Sequence, residues 1–179
     1  MKIWLSSHVM RAMCRYARKL APLENGGILL GWRAGVDRVV IDLRGPGPRA
    51  LHGQHCFLPD HAWHIEEIHR TFQESDGDVD YLGDWHSHPG GVAAMSELDS
   101  TTLRRIACRV KDPLMLIVAG SETDDEWSTR CWNGRLDGPL LWRRFEAQPQ
   151  ELKLFDPPAE WFAGECPQSI VAGKKNPAA

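Results

Sequence analysis

The sequence predicts an α/β domain in which helices pack in layers on a mixed β-sheet. Three segments carry apolar residues at helical spacing, and at least six short segments are rich in the branched and aromatic side chains that strands favour. Several of these strands are joined by connections only a few residues long, which suit antiparallel neighbours. A mixed sheet is therefore favoured over an all-parallel one.

The first predicted helix begins at Ser6 or Ser7, because either hydroxyl group can cap its first turn. It ends at Ala21-Pro22, since proline cannot continue a helix. Its apolar positions recur at spacings of four, three and four residues and are Val9, Met13, Tyr16 and Leu20. This spacing predicts an amphipathic helix with one buried face.

Two strands are predicted next, at residues 28–32 and 36–43, joined by a tight turn. Residues 44–53 are rich in glycine and proline, and they predict a loop. A second helix is predicted to begin at Asp60 and to end at residues 75–78. The side chains that this helix is predicted to bury are Ile65, Ile68 and Phe72.

A strand is predicted at residues 79–88, and it leads into a loop at Pro89-Gly90-Gly91. Ser96 is predicted to open a third helix, which Asp112-Pro113 breaks. The apolar side chains of this helix lie at positions i, i+3, i+4 and i+7 and are Leu103, Ile106, Ala107 and Val110. This helix is therefore predicted to lie against the sheet.

Three further strands are predicted, at residues 114–119, 127–132 and 140–145. Polar turns at residues 122–125 and at Asn133-Gly134 are predicted to separate them. After Phe155 the chain loses its periodicity and becomes rich in proline, alanine, glycine and lysine. We therefore predict one domain over residues 1–155 and a flexible C-terminal tail over residues 156–179.

Composition narrows the class of protein. The chain has 179 residues and a formal net charge of −3, so it lacks the excess of positive charge that is typical of nucleic-acid-binding proteins. The longest apolar run is residues 114–119, so neither a membrane span nor a signal peptide is predicted. The five cysteines form an odd set without a Cys-x-x-Cys pair, which does not suit a disulfide framework. A cytoplasmic protein is therefore expected.

A candidate metal site lies where the strand at residues 79–88 ends. Because side chains alternate along a strand, His86 and His88 project to the same side of the sheet and can reach one ion. Asp99 lies in the first turn of the next helix, where the chain has turned back. Two imidazoles and one carboxylate form the open coordination typical of catalytic zinc, with a fourth position left for water.

Each part of this pattern also has a structural explanation. Residues 96–99 are close to a capping box, in which Ser96 caps the helix and an acidic residue three positions later returns a hydrogen bond. His86 and His88 could be ordinary polar strand residues, and a lone glutamate such as Glu24 is usually a solvated surface group. The succession of these features is much rarer than any one of them.

That succession resembles a known family motif. His86-Ser87-His88-Pro89, Ser96 and Asp99 have the spacing of the JAMM motif of the JAB1/MPN/Mov34 metalloproteases, which also has a glutamate upstream. In this chain residues 24–31 read Glu-Asn-Gly-Gly-Ile-Leu-Leu-Gly, which is similar to the context of that glutamate. The preceding Gly-Asp-Trp at residues 83–85 looks like the prokaryotic JAB branch. The resemblance covers about residues 1–120, and all five motif positions are occupied.

The resemblance implies a cytidine-deaminase-like JAB/MPN domain, an α/β fold with a mixed central β-sheet flanked by helices. Carried over position by position, His86, His88 and Asp99 would hold one Zn²⁺. Glu24 would take a proton from water and deliver it to the leaving amine, and Ser96 would hydrogen-bond the oxyanion.

The resemblance also implies a substrate class. Prokaryotic JAB proteins act on amide bonds that follow the C-terminus of ubiquitin-like proteins, either in conjugates or in precursors, and E1-like and E2-like partners accompany many of them in antiphage defence operons. One alternative is a peptidase that trims a sulfur-carrier protein for cysteine or siderophore biosynthesis. Another alternative is a non-catalytic, zinc-stabilised interaction module. Neither a nucleic acid nor a membrane is expected as a partner.

Overall fold

A computed structural model of the chain describes residues 1–121, 127–139 and 142–158. These residues form three helices and nine strands, seven of which join in one sheet. In chain order the elements are β1 (Lys2–Ser6), α1 (Ser7–Leu20), β2 (Gly26–Ala34), β3 (Asp37–Arg44), β4 (Leu51–His52), β5 (Phe57–Leu58), α2 (His61–Glu74), β6 (Asp80–Pro89), α3 (Glu97–Ala107), β7 (Leu114–Gly120), β8 (Ser128–Asp137) and β9 (Arg144–Phe155).

The large sheet has the strand order β1-β3-β2-β6-β7-β8-β9 and closes into a barrel, because β1 pairs with both β3 and β9. The pairs β1–β3, β1–β9 and β6–β7 are parallel, and the other neighbours are antiparallel. The predicted mixed sheet is therefore confirmed. Strands β4 and β5 form a separate two-stranded sheet.

Three strands were not predicted: β1, β4 and β5. Strand β1 precedes the first helix directly, and its fully buried Ile3 and Leu5 contribute to the main core beneath α1. Strand β4 lies inside residues 44–53, which were predicted to be a loop. All three strands are short. Strand β1 is stabilised by pairing with the distant strands β3 and β9, whereas β4 and β5 pair with each other in a hairpin, so local composition does not indicate them.

Helix α1 has the predicted bounds. Ser6 is its N-cap and accepts a hydrogen bond from the backbone N–H of His8, and Ala21 is its C-cap. Val9 and Met13 are fully buried as expected, whereas Tyr16 is 39% exposed and lies against the ring of Trp85. The apolar face of α1 therefore covers the sheet, and its edge reaches the surface.

The face that α2 buries is rotated by one residue, about 100°, from the predicted face. Ile65 and Phe72 are 54% and 45% exposed, and Ile68 is only half-buried. The buried side chains are instead polar and are His64, Glu67 and Thr71. The prediction was wrong because this helix packs on polar atoms of residues 44 and 45 rather than on an apolar surface.

The buried contacts of α2 are made by Arg44 and Gly45. Arg44 donates hydrogen bonds from Nε to Glu67 Oε2 at 2.8 Å and from Nη2 to Thr71 Oγ1 at 3.2 Å. The imidazole of His64 donates from Nε2 to the carbonyl oxygen of Gly45 at 2.8 Å. Buried polar groups must be satisfied, so these partners fix which face of α2 turns inward.

Asp60 makes the stability of α2 depend on pH. It is the N-cap, and its side chain accepts hydrogen bonds from Trp63 N at 3.3 Å and Arg49 Nε at 3.0 Å. The hydrogen bonds from Arg49, followed by those from the helix N-terminus, hold the pKa of Asp60 below its usual value of 3.8. This contribution to stability is present above pH 3.8 and is lost as the pH falls through the lower folded-state pKa.

We therefore expect Asp60→Asn to lower the urea midpoint at pH 7 and to have a smaller effect at pH 3. Asn can still cap the helix, but it loses the charge that pairs with Arg49. Asp78→Asn is the matched control, because Asp78 is exposed and follows the same helix. An equal loss of stability at both pH values would contradict this role of the Asp60 charge.

Helix α3 is shorter than predicted, since it ends at Ala107 with Cys108 as its C-cap, before Asp112-Pro113. Leu103 is fully buried against Met115 and Ile117 of β7, so the predicted inward face is correct at this position. Val110 lies beyond the helix and is half-buried.

The predicted turn at Asn133-Gly134 is wrong, because β8 continues through it to Asp137 and pairs with β9. Asn133 is buried and donates from Nδ2 to the carbonyl oxygen of Pro113 at 3.2 Å. A Cβ atom at position 134 would lie 2.8 Å from Leu103 Cγ, so glycine permits the close approach of α3.

The last strand, β9, starts and ends later than the predicted strand at residues 140–145. Residues 140 and 141 lie outside the described residues, as do the predicted turn at residues 122–125 and residues 159–179 of the predicted tail. In the described part of the chain, no helix is long and apolar enough to cross a membrane.

Candidate metal centre

His86 and His88 lie at the end of β6, and both side chains are largely shielded from solvent. Their ring centroids are 5.0 Å apart and the rings are nearly perpendicular. Ser87, between them, is fully buried, as the alternation of a strand requires. The predicted convergence of the two imidazoles is therefore present.

Glu24 is brought to the histidines by the pairing of β2 with β6, in which Gly26 lies opposite His86. Asn25 and Ser87 strengthen this pairing: Ser87 N donates to Asn25 O at 2.7 Å, and Asn25 N donates to Ser87 Oγ at 2.9 Å. As a result, Glu24 Oε2 lies 3.2 Å from His86 Nε2.

Asp99 is the third residue of α3 and contacts both histidines. His86 Nδ1 lies 2.8 Å from Asp99 Oδ1, and His88 Nε2 lies 3.3 Å from Asp99 Oδ2. Only 4% of the Asp99 side chain is exposed. The start of α3 thus places this carboxylate within 3.3 Å of a nitrogen atom of each ring.

Ser96 forms the capping box that the sequence pattern predicted. Its Oγ accepts a hydrogen bond from Asp99 N at 3.1 Å, and its backbone N–H donates to Asp99 Oδ2 at 2.9 Å. Its hydroxyl also donates to Asp99 Oδ2 at 2.7 Å. Ser96 therefore has a structural role at the N-terminus of α3, and the hydroxyl must turn away from Asp99 before it can donate to a substrate.

The cluster offers two carboxylates to two histidines. One potential ligand atom from each of Glu24, His86 and His88 lies within 4.8 Å of the other two. The metal ligands predicted from the sequence were His86, His88 and Asp99, so this group has Glu24 in place of Asp99. Among the described residues, buried His86 Nε2 has no hydrogen-bond partner, although Glu24 Oε2 is close to it. Nitrogen and oxygen donors, one of them unsatisfied, are suitable ligands for Zn²⁺.

The charges of the cluster are strongly coupled. Burial alone would lower the pKa of His86, but the carboxylates of Asp99 and Glu24 outweigh burial and raise this pKa to about 9. Burial acts to raise the pKa of Asp99, yet hydrogen bonds from His86, His88 and Ser96 hold it well below its usual range. A metal ion that binds His86 must displace the proton that the carboxylates stabilise.

His52 is a positioning residue that the sequence did not identify. Its Nδ1–H donates to the backbone carbonyl of Glu24 at 2.9 Å, and the neighbouring Gly53 O accepts from Glu24 N at 2.8 Å. The ring of Phe57 lies between His52 and His86, with centroids 5.4 and 5.9 Å away. The β4–β5 hairpin therefore holds the backbone of Glu24 from both sides.

For the amide hydrolysis that the JAMM resemblance implies, we expect His52→Phe to lower kcat about tenfold, because one hydrogen bond that orients Glu24 is lost. The KM and the zinc content should stay unchanged, since His52 does not contact the histidine pair. His52→Asn keeps a donor near the position of Nδ1 and should restore most of the activity. Loss of zinc in His52→Phe, or no rescue by His52→Asn, would contradict the positioning role.

A cleft of about 890 Å³ opens beside the cluster. Glu24, His86 and His88 line it together with the loop after β6 and the start of α3. Two apolar side chains at this cleft are unusually exposed, Val92 at 72% and Leu98 at 54%. Exposed apolar groups next to a polar cluster are typical of a surface that binds another molecule.

The fold and the cluster together define an α/β domain with a two-histidine, two-carboxylate centre at the end of a sheet strand. The family model for prokaryotic homologs of the JAB domain matches residues 6–133. The chain therefore belongs to the prokaryotic JAB family. The resemblance that the JAMM-like spacing indicated is thus confirmed.

Three curated relatives support a hydrolase. The chain is 33% identical over 161 residues to a probable metalloprotease, y4qB, from Sinorhizobium fredii, covering 86% of this chain and 96% of the relative. It is 32% identical to a CD-NTase/cGAS isopeptidase from Vibrio cholerae, over 76% of this chain and 83% of that relative. A protein of the same name from Escherichia coli is 27% identical, over 69% and 77% of the two chains.

A solved structure supports the fold. The solution structure of protein DSY2949 from Desulfitobacterium hafniense matches with a TM-score of 0.66, over 88% of this chain and 96% of that chain. The sequence identity is 23%, so this match bears on the fold alone. The predicted JAB-type domain, with its mixed sheet and helices, is confirmed.

Proposed function

We propose that the protein is a zinc-dependent JAMM-type peptidase that hydrolyses the amide bond after the C-terminus of a ubiquitin-like protein. The observation that carries this proposal is the cluster of Glu24, His86, His88 and Asp99 at the wall of an open cleft. We assign the metal to His86, His88 and Asp99, with one Zn²⁺ per chain. Glu24 and Ser96 are assigned to catalysis.

The proposed catalytic groups have different chemical roles. When bound, Zn²⁺ supplies a Lewis acid that polarises the scissile carbonyl and makes water more acidic. Glu24 is the carboxylate that is free to accept the proton of the attacking water and to donate it to the leaving amine. The Ser96 hydroxyl, released from Asp99 Oδ2, would donate a hydrogen bond to the developing oxyanion.

The relatives favour removal of a conjugate over trimming of a precursor. Two of them are named CD-NTase/cGAS isopeptidases, and an isopeptidase cleaves a bond to a lysine side chain. By analogy we propose that this chain cleaves a ubiquitin-like modifier from a target of that kind in a bacterial antiphage defence system, in the cytoplasm, alongside E1-like and E2-like partners. The exposed Val92 and Leu98 would contact the modifier close to its C-terminus.

The proposal can be tested with purified, zinc-loaded protein and two substrates: a linear fusion of a ubiquitin-like protein to a reporter, and the same modifier joined to a lysine side chain. We expect cleavage directly after the modifier, faster for the lysine conjugate, and loss of cleavage with a chelator. Mass spectrometry of the products identifies the cut.

Three other results have clear meanings. Preferred cleavage of a linear sulfur-carrier fusion would support the alternative trimming function. Partner binding without turnover, unaffected by Glu24→Ala, would support an interaction module. If a fully zinc-loaded sample cuts no ubiquitin-like fusion or conjugate, the proposed substrate class is rejected. The assignment of the metal centre would not be affected.

A further inference from the structure

A second large cavity lies at the end of the barrel opposite the metal centre. Its volume is about 820 Å³, within the range of about 300–1,000 Å³ in which small-molecule sites are found. The β2–β3 turn, the segment after α3, and the paired ends of β8 and β9 line it. The start of β7 pairs with Asn133 at this end, whereas the end of β6 carries the histidines at the other.

The lining of this cavity is strongly basic. Among the residues that the structure describes, the lining has two carboxylates, those of Asp112 and Asp137. The six basic side chains that line it are Arg33, Arg38, Arg109, Lys111, Arg135 and Arg143. Because the whole chain has a net charge of −3, this concentration of positive charge is a local feature and does not follow from the composition.

Arg38 lies at the base of the cavity with its charge incompletely neutralised. Its side chain is only 5% exposed, and its nearest carboxylate is Asp112, with Nη2 and Oδ2 3.7 Å apart. Nη1 donates to two backbone carbonyls, but Nε has no hydrogen-bond partner among the described residues. Burial, and then the charge of Arg33, lower the pKa of Arg38, so a further anion here would be stabilising.

Two of the cations at the rim are available for a ligand, whereas two others are already paired with carboxylates. Arg135 pairs with Asp137 at 2.9 Å, and Arg33 lies 3.8 Å from Asp80. Within the described ranges, neither Arg109 nor Lys111 has a carboxylate within 4.0 Å, and both side chains are exposed. Two cations without a carboxylate partner, in the same cavity lining as a buried guanidinium, can contact separate oxygens of one multiply charged anion.

We propose that this cavity, here named the basic cavity, binds a small molecule of nucleotide size that carries a chain of phosphate groups. Guanidinium groups match phosphate oxygens in geometry, and several cations around one volume favour a ligand with several negative charges. The exposed Val36 and half-buried Val110 in the lining give an organic portion of the ligand an apolar contact. This site is separate from the metal centre and does not depend on the peptidase activity.

The test is isothermal titration of the zinc-loaded protein with ATP, with inorganic triphosphate as competitor and adenosine as the uncharged comparison. We expect saturable binding of ATP that weakens as salt is raised, displacement by triphosphate, and no displacement by adenosine. In the double variant Arg109→Gln/Lys111→Gln the Kd should rise at least about tenfold.

The matched control is Arg11→Gln/Arg15→Gln, which removes the same charge from the exposed face of α1. ATP binding by this variant should match the parent within about twofold. Equal binding by parent and cavity variant would place the anion elsewhere, for example at the zinc ion, and overturn the proposal. Absence of saturable binding of both ATP and triphosphate, or equal competition by adenosine, would also overturn it.

Discussion

Substitution of Asp99 by asparagine is expected to lower the affinity for zinc by more than about a hundredfold. This loss exceeds the tenfold to hundredfold cost of changing a group that only supports a metal ligand. Asp99 contacts both histidines, and its carboxylate supplies the negative charge that favours a divalent ion beside them. Asparagine keeps the shape of the side chain and can still accept the hydrogen bond from Ser96 N, so α3 should retain its start. Zinc content and competition with a coloured chelator measure the effect.

The control for this prediction is Ser96→Ala, which weakens the cap of α3 without removing a ligand. We expect this variant to lose about 1 kcal/mol of stability and to keep its zinc. The opposite pattern, with zinc retained by Asp99→Asn and lost from Glu24→Gln, would identify Glu24 as the third ligand. That outcome would match the mutually close set of Glu24, His86 and His88.

The positions of His86, His88 and Asp99 in the metal centre could be predicted from the local sequence. His86 and His88 share a side because side chains alternate along a strand, and Asp99 occupies the third position of a helix because Ser96 caps it. Both relationships act over a few residues of one continuous segment. They need no knowledge of the rest of the fold.

The position of Glu24 could not be derived from local sequence patterns, because Glu24 reaches His86 only through the pairing of two strands that are distant in the chain. The register of β2 against β6 and the reciprocal hydrogen bonds of Asn25 and Ser87 set this approach. Strand register depends on the complete sheet, so without the family resemblance Glu24 would have been placed on the surface. The same limit explains why His52 was missed.

The wrong prediction of the buried face of α2 has a clear physical cause. The periodicity of α2 places Ile65 and Phe72 on one face, yet the ion pair of Arg44 with Glu67 makes the adjacent face the buried one. Local patterns assume that burial follows apolar character, and this assumption fails where a buried ion pair forms the contact.

The second large effect is expected for Glu24→Gln, which should keep zinc but lower kcat by about a hundredfold to ten-thousandfold. Glutamine has nearly the shape of glutamate and can occupy the same position beside His86, but it cannot accept and return a proton. The KM should change little, because the side chain is only 12% exposed and contributes little surface to the substrate. Single-turnover cleavage of a ubiquitin-like conjugate, with zinc measured on the same samples, checks both parts.

Glu97→Gln is the matched control, since Glu97 is an exposed glutamate in the same cleft and precedes Asp99 by two residues. We expect it to retain near-normal kcat, because the proposed proton transfer belongs to the carboxylate beside His86 and not to the general negative charge of the cleft. If both variants lose activity equally, electrostatic attraction of the substrate explains the effect better than proton transfer. If Glu24→Gln stays active with zinc bound, another group must move the proton, and the catalytic assignment of Glu24 is wrong.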